Sequence, residues 1–242
     1  IYATDASHYQ QIPVVVTWPR DENEVLSIIS IARENSVPLL GRGAGTSLAG
    51  KTVTTGIVLD FSRYMDKILE WDHEEQWVRV QPGVVRDVLN NEAAKHGLHF
   101  APDPATSNRA TIGGMIANNS SGTRSVKYGK TIDHLMELRV ALSTGEIIDL
   151  KAGPDDTVPQ IQALSSLVSI NADTIAERFP AVMRRVGGYP LDYLTPGQEF
   201  NPAMVFCGSE GTLGIILEAK IRLVSLPASQ SVAILHFEDT RQ

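Results

Sequence analysis

Two hydrophobic periods run along this chain, and the change from one to the other divides it. Val14-Val15-Val16 is an apolar run closed by Trp18-Pro19, the pattern of a short strand. Asp21, followed three residues on by Glu24, marks a helix start in the manner of a capping box. Val25, Ile28, Ile29 and Ala32 then share one helical face, and Asn35 supplies the stop. Val37-Pro38-Leu39-Leu40 returns to β pattern. Strand, helix and strand at this spacing predict a right-handed βαβ unit, with Ile57-Val58-Leu59 joining the same small sheet.

From Trp77 onward the period is two. Trp77-Val78-Arg79-Val80-Gln81 alternates like a half-buried strand and ends at Pro82-Gly83. Residues 84–96 predict a helix with Val85, Val88, Leu89 and Ala93 inward, stopped by Gly97. Leu135 to Leu142 and Glu146 to Leu150 flank Ser143-Thr144-Gly145 as the arms of a hairpin. Prolines 154, 159, 180, 190, 196 and 202 punctuate an insertion over about 151–202, with helical patterns near 160–170 and 171–179. Within it Arg184-Arg185 reads as a solvated pair, with a substrate contact as the alternative. Met204 to Cys207 and Ile215 to Leu226 resume β pattern, and Val232 to Phe237 reads as a further strand. The expected fold class is α+β. A small parallel-sheet lobe spans 1–62, and a larger antiparallel-sheet lobe with flanking helices spans 63–227. Lobes of different sheet type suit a ligand held in the cleft between them.

Composition narrows the function. At 242 residues the chain can bury a substantial core, and 43% hydrophobic against 20% charged residues suits a globular protein. A net charge of −7 and the lack of a basic stripe argue against a nucleic-acid partner. The single cysteine, Cys207, excludes an internal disulfide, a zinc cluster and a self-contained iron–sulfur site, and is expected to be a buried small hydrophobe. His8, His73, His96, His99, His134 and His236 show no metal spacing, so no metal site is expected and each is given a surface or capping role. No apolar run approaches the roughly 18 residues needed to span a bilayer and no signal peptide is visible, so a cytoplasmic or peripheral location is expected. The chain opens at Ile1 rather than Met, as an excised piece would.

The chemistry concentrates in Gly41-Arg42-Gly43-Ala44-Gly45-Thr46-Ser47-Leu48-Ala49-Gly50, directly after the second β run. Such a loop lets backbone N–H groups converge on an anion, here a phosphate or pyrophosphate, with Arg42 adding charge. The dinucleotide pattern G-x-G-x-x-G fails, because Thr46 stands at the third glycine. Gly45 to Thr52 matches the P-loop pattern G-x-x-x-x-G-K-[ST] in full, which makes an NTPase the alternative from another class. A P-loop runs straight into a helix. Val53-Thr54-Thr55-Gly56-Ile57-Val58-Leu59-Asp60 instead reads as a strand, too close to the preceding one for a crossover helix between parallel neighbours. Lys51 and Thr52, which create the match, are therefore expected to be replaceable.

Three further stretches join glycine to hydroxyl and amide side chains. They are Pro102-Asp103-Pro104-Ala105-Thr106 running on to Thr111-Ile112-Gly113-Gly114, then Asn118-Asn119-Ser120-Ser121-Gly122, and Gly208-Ser209-Glu210-Gly211-Thr212-Leu213-Gly214-Ile215. Four such stretches suit a long ligand carrying a pyrophosphate, sugars and a polar heterocycle. Together with Tyr128-Gly129 they resemble the FAD-binding module of the vanillyl-alcohol oxidase / p-cresol methylhydroxylase (PCMH) type. Within it the likeness is to the glycolate oxidase large subunit and D-lactate dehydrogenase group of FAD-linked oxidases, and it runs from Tyr2 to Pro227.

That resemblance implies FAD gripped between the two lobes. Arg42, Gly43, Ala44, Gly45, Thr46, Ser47 and Leu48 would surround the pyrophosphate. Pro82, Gly83, Pro104 and Thr106 would contribute nearby. Thr111, Gly113, Gly114, Asn118, Ser120, Ser121, Gly122 and Tyr128 would follow the rest of the cofactor, and Glu210, Gly214 and Ile215 would complete the pocket. Covalent members carry a histidine where Thr46 stands, so the flavin is expected to be non-covalent. The resemblance further implies hydride transfer from a D-2-hydroxy acid such as lactate or glycolate, and an electron acceptor other than NAD. It places the catalytic residues in a C-terminal cap domain, of which residues 228–242 would be the start. A downstream iron–sulfur region in longer members is also implied, and an NADPH-dependent reductase shares the module as an alternative.

Overall fold

The computed structural model describes every residue except 154, 156, 238 and 240–242. The first strand, β1 (Val15–Thr17), leads into helix α1 (Glu22–Glu34). Asp21 caps α1 by accepting from the Glu24 N–H at 3.0 Å, worth about 1 kcal/mol. The Glu24 carboxylate reaches past the cap to the Arg20 N–H, so the capping is one residue longer than a strict box. Val25, Ile29 and Ala32 are buried, Ile28 is partly so, and Asn35 is the C-cap.

Strand β2 (Leu39–Arg42) and strand β3 (Ile57–Asp60) complete a parallel sheet of order β1-β3-β2. All four residues of β3 are buried, as a central strand covered on both faces requires. Ile57–Asp60 joins the small parallel sheet as expected. β2 and β3 are parallel neighbours joined by residues 43–56 with no helix between them. The glycine loop itself makes the crossover, and therefore sits at the carboxyl end of β2.

Strands β4 (Ile68–Asp72) and β5 (Trp77–Val80) open the antiparallel sheet, followed by helix α2 (Arg86–Ala93) and a 3₁₀ turn over Ala94–His96 that Gly97 ends. Val88 is 56% exposed, contrary to the expected inward face. The helix starts at Arg86, and its buried face is carried by Leu89 and Ala93. Strand β6 (Leu98–His99), helix α3 (Ile112–Asn118) and the short helix α4 (Ser125–Tyr128) come next. Strands β7 (Leu135–Ala141) and β8 (Ile147–Leu150) form the expected hairpin. Helices α5 (Pro159–Ile170) and α6 (Ala172–Arg178) follow, over a small core of Val168, Ile175 and Leu194. Strand β9 (Ile215–Arg222) is the centre of the five-stranded order β4-β5-β9-β7-β8, and β10 (Val224–Ser225) pairs with β6.

The two sheets share apolar packing. Ala141, Ile215 and Leu217 of the antiparallel sheet cluster with Ile57 and Leu59 of β3 and with Val25 and Ile29 of α1. Across the same junction Arg139 pairs with Glu22 at 2.7 Å. A larger cluster on the other side holds Leu89, Phe100, Ile112, Ile116, Leu138 and Ile221, and so fixes α3 against the antiparallel sheet.

Two β expectations are corrected. Pro202–Phe206 is a 3₁₀ helix, because Pro202 takes its first position and the Asn201 side chain caps it through the Ala203 N–H. Val232 to Phe237 forms no strand. It runs exposed, with Val232, Ile234 and Leu235 open to solvent and no ladder partner among the described residues.

Candidate functional site

The carboxyl end of β2 delivers the chain into the glycine loop, and two features hold that loop open. A Cβ added at Gly43 would stand 2.1 Å from Thr111 Oγ1, so only glycine allows this backbone to lie against the N-cap of α3. Gly45 has φ +68°, and beneath it lies the Arg42 guanidinium. Arg42 is 6% exposed and donates to the carbonyls of Thr4 (2.8 Å), Ile1 (3.5 Å) and Thr52, with its guanidinium 5.5 Å from the Tyr2 ring. It makes no ion pair among the described residues. The register neighbour Asp60 is occupied instead by the Tyr2 hydroxyl at 2.7 Å and the Ser62 N–H at 2.8 Å. Arg42 is thus a buried, uncompensated cation that clamps the N-terminal segment to the far end of the loop. Above it, the N–H groups of residues 44–48 donate to no backbone acceptor among the described residues. Free donors over a buried positive charge form an anion cradle.

The facing wall comes from α3 and the turns around it. Thr111 caps α3, and a Cβ at Gly122 would overlap Asp103 Oδ1 at 2.0 Å, so the 103–106 and 118–122 stretches interlock. The 208–211 turn is pinned to the end of α3 by Gly208 N–H to the Ile116 carbonyl (3.1 Å) and Glu210 N–H to the Ala117 carbonyl (2.9 Å). Glu210 sits at φ +56°, uncommon for a residue with a side chain. It pairs with Lys51, whose ammonium also donates to Asn118 Oδ1 at 3.2 Å. Loop and facing wall are therefore strapped together across a cavity of about 770 Å³, well inside the range of sites for extended organic ligands.

Arg42 to Leu48, Pro82, Pro104, Thr106, Thr111, Gly113, Gly114, Asn118, Ser120, Ser121, Gly122, Glu210, Gly214 and Ile215 all line this one cavity. Two expected members do not. Gly83 lies under the backbone of Phe61 and Met65, where a Cβ would stand 2.0 Å from a carbonyl oxygen, so its role is close packing. Tyr128 packs edge-on against His99 at 5.5 Å, outside the cavity. Lys51 and Thr52, expected to be replaceable, both make contacts at the site. Lys51 bridges the site, and Thr52 holds Arg42 through its carbonyl and Asp5 through its hydroxyl. No helix follows them, so the P-loop geometry is absent at this match.

Side chains not assigned to the site from the sequence include Asp103 and Ser209 in the wall, with Phe61 and Phe206 as apolar lining; Arg184, for which a substrate contact was the alternative reading, also lines it. Asp103 and Ser209 lay inside the stretches already singled out, whereas the lining aromatics carried no local signal. Arg185 is not a solvated residue. It pairs with Asp192, and its guanidinium lies 4.6 Å from the Phe179 ring centre.

The buried histidines also depart from expectation. His99 and His134 are both inside the fold, and burial lowers the pKa of each. His134 donates from Nε2 to the Tyr128 carbonyl at 2.8 Å, while both nitrogens of His99 lack partners. Cys207 is fully buried, as expected, and burial raises its thiol pKa, so it stays protonated and inert. No group of acidic, histidine or cysteine side chains among the described residues has a metal-binding arrangement, and no helix among them is long and apolar enough to cross a membrane.

The residues present fit a flavin dinucleotide. A pyrophosphate requires the anion cradle, and a polar heterocycle requires buried donors such as the Ser121 hydroxyl, which lies in the cavity wall with no protein partner. Comparisons with known proteins agree. The chain is 40% identical to a D-2-hydroxyglutarate dehydrogenase of Pseudomonas putida over 94% of its own length and 24% of that protein's. It is 35% identical to the glycolate oxidase subunit GlcD of Bacillus subtilis, over 99% of this chain and 43% of that one. A D-lactate dehydrogenase of Anaerostipes hadrus is 32% identical over 94% and 40%. The chain thus spans less than half of each of these relatives. Alkyldihydroxyacetonephosphate synthase structures share the fold at TM-score 0.62 and 24% identity, over 88% of this chain and 32% of theirs. The FAD binding domain family matches residues 13–151, more than half of the chain, taking in the cradle and the α3 part of the wall that faces it; this chain belongs to that family.

Proposed function

We propose that this chain is the FAD-holding part of a dehydrogenase or oxidase that acts on D-2-hydroxy acids. The observation that carries the reading is the row of free N–H groups at 44–48 above the buried Arg42, opening onto the same cavity as α3 and the 208–215 turn. In it, Ala44 to Leu48 hold the pyrophosphate of FAD, and Arg42 supplies its charge from behind without touching it. Thr111, Asn118, Ser121 and Glu210 supply polar contacts along the remainder, and Ile215, Phe61 and Phe206 exclude water. Bound FAD would provide the acceptor for the two electrons removed from a CH–OH group. No histidine or cysteine lines the cavity among the described residues, which supports a non-covalent flavin.

The hydroxy-acid class rests on the relatives, which are named for hydroxyglutarate, lactate and glycolate. An electron acceptor other than NAD is supported by the name of a Saccharomyces cerevisiae relative, 29% identical over 95% of this chain and 33% of that one, the mitochondrial D-lactate dehydrogenase [cytochrome] 1. Residues 1–62 and 63–227 serve as the two cofactor-gripping lobes, and the exposed segment from residue 228 leads toward the cap that handles substrate. Purified chain reconstituted with FAD should absorb near about 450 nm and release free flavin on acid precipitation. A chain that stays colourless with FAD, or one that binds Mg-ATP instead, would contradict the reading.

A further inference from the structure

Five charged side chains stand in the cavity wall, and four of them are occupied. Arg42 serves three carbonyls, Lys51 and Glu210 hold each other, and Asp103 accepts from Thr123 Oγ1 and the Arg124 N–H, both at 3.2 Å. The fifth, Arg184, makes no hydrogen bond, ion pair or ring contact among the described residues. It nevertheless belongs to a segment fixed on both sides. Arg185 is held by Asp192 and Phe179. The carbonyls of Val186 and Gly188 press on Gly208, where a Cβ would stand 2.7 and 2.8 Å away. The Tyr189 hydroxyl meets Thr212 Oγ1 at 2.7 Å. Arg184 itself is exposed at the cavity wall, its guanidinium open to whatever enters.

The segment docks on the 208–212 turn, which is bonded to the last residues of α3, whereas Gly43 packs at the first. Arg184 is thus mounted from the opposite end of α3 from the start of the phosphate loop, about 10 Å along a helix of this length. An uncompensated guanidinium in a cavity selects an anion, and its planar fork matches a carboxylate in bidentate fashion. We propose that Arg184 is the carboxylate receptor of this cavity, binding the acid group of the 2-hydroxy-acid substrate from the cofactor-holding part of the molecule. This rests on the hydroxy-acid reading above and adds a specificity-determining residue to it.

The test measures D-lactate and D-2-hydroxyglutarate binding by calorimetry, with and without FAD, for the wild-type chain, Arg184→Ala and Arg184→Lys. Flavin content and inorganic pyrophosphate affinity are read in parallel. The expected result is acid binding weakened about 10- to 100-fold in Arg184→Ala, from loss of a charge-assisted pair, with flavin content and pyrophosphate affinity unchanged. Arg184→Lys should fall between, since it keeps the charge and loses the fork. Unchanged acid affinity in Arg184→Ala, or no acid binding by the wild type, would overturn the proposal. So would loss of flavin or pyrophosphate affinity in Arg184→Ala, which would make Arg184 a cofactor phosphate contact. If the wild type takes up no FAD, the cofactor reading fails separately, and acid binding by the FAD-free chain still decides the role of Arg184.

Discussion

The glycine loop at 41–50 and the 184–211 stretch wall the same cavity but are held in place by different forces. The loop is shaped by backbone: a glycine too close to Thr111 for any side chain, a left-handed Gly45, and carbonyls gathered around one buried guanidinium. The opposite stretch is shaped by side-chain pairs, Arg185 with Asp192, Tyr189 with Thr212 and Glu210 with Lys51, on a sparsely regular backbone. Damage to the first should therefore cost both fold and ligand, while damage to the second should alter the ligand with little cost to the fold.

The sharpest way to break this contrast is Gly43→Val. A side chain there must displace Thr111 and with it the N-cap of α3, so the variant should lose about 1–3 kcal/mol in urea denaturation and retain no flavin. Arg42→Met ranks next. It strands the Thr4 and Thr52 carbonyls and removes the charge behind the cradle, so about 2–3 kcal/mol of stability and at least a tenfold weakening of FAD binding are expected. Retention of normal FAD affinity by Arg42→Met would show that the buried charge is only a scaffold.

Acid should probe the packing around the larger antiparallel sheet without touching the loop. Burial holds His99 and His134 below their ordinary pKa, so unfolding takes up protons as pH falls below about 6.5. Stability is fully present above that value and is lost on acidification until the pH passes below the folded-state pKa, at up to ~1.4 kcal/mol per pH unit for each histidine. Chemical denaturation at pH 7.5 and 5.5 checks this, and a double His99→Phe, His134→Gln variant should flatten the dependence. The smallest effect belongs to Lys51→Ala. Both partners of the Lys51–Glu210 strap are about a third exposed, so at most ~1 kcal/mol and less than a tenfold change in FAD affinity are expected.

The same contrast explains which features were legible in the sequence. Backbone-determined features leave local marks, so the loop, the Asp21 cap, the Gly97 stop and the β7–β8 hairpin could all be read from neighbouring residues. The strand order β1-β3-β2 could not, because no local pattern says which strands of a sheet become neighbours. Met204 to Cys207 looked like a strand because short apolar runs are ambiguous, and the deciding groups, Pro202 and the Asn201 cap, lie just upstream. Side-chain mounting left no trace at all. Arg184 and Arg185 are adjacent in sequence, yet one is locked into an ion pair and the other stands in the cavity wall without a partner. Tyr128 failed for a related reason: it follows the cavity stretch in sequence, but α4 carries its ring to His99 instead.

The central claim is that the loop over Arg42 is the phosphate cradle of an FAD site. Fluorescence titration of the flavin-free chain with FAD, in wild type and Gly43→Val, tests it most directly, with circular dichroism to show that both remain folded. The account predicts saturable one-to-one quenching by the wild type and none by a folded Gly43→Val. Equal FAD affinity in the two, or no binding by the wild type, would contradict it.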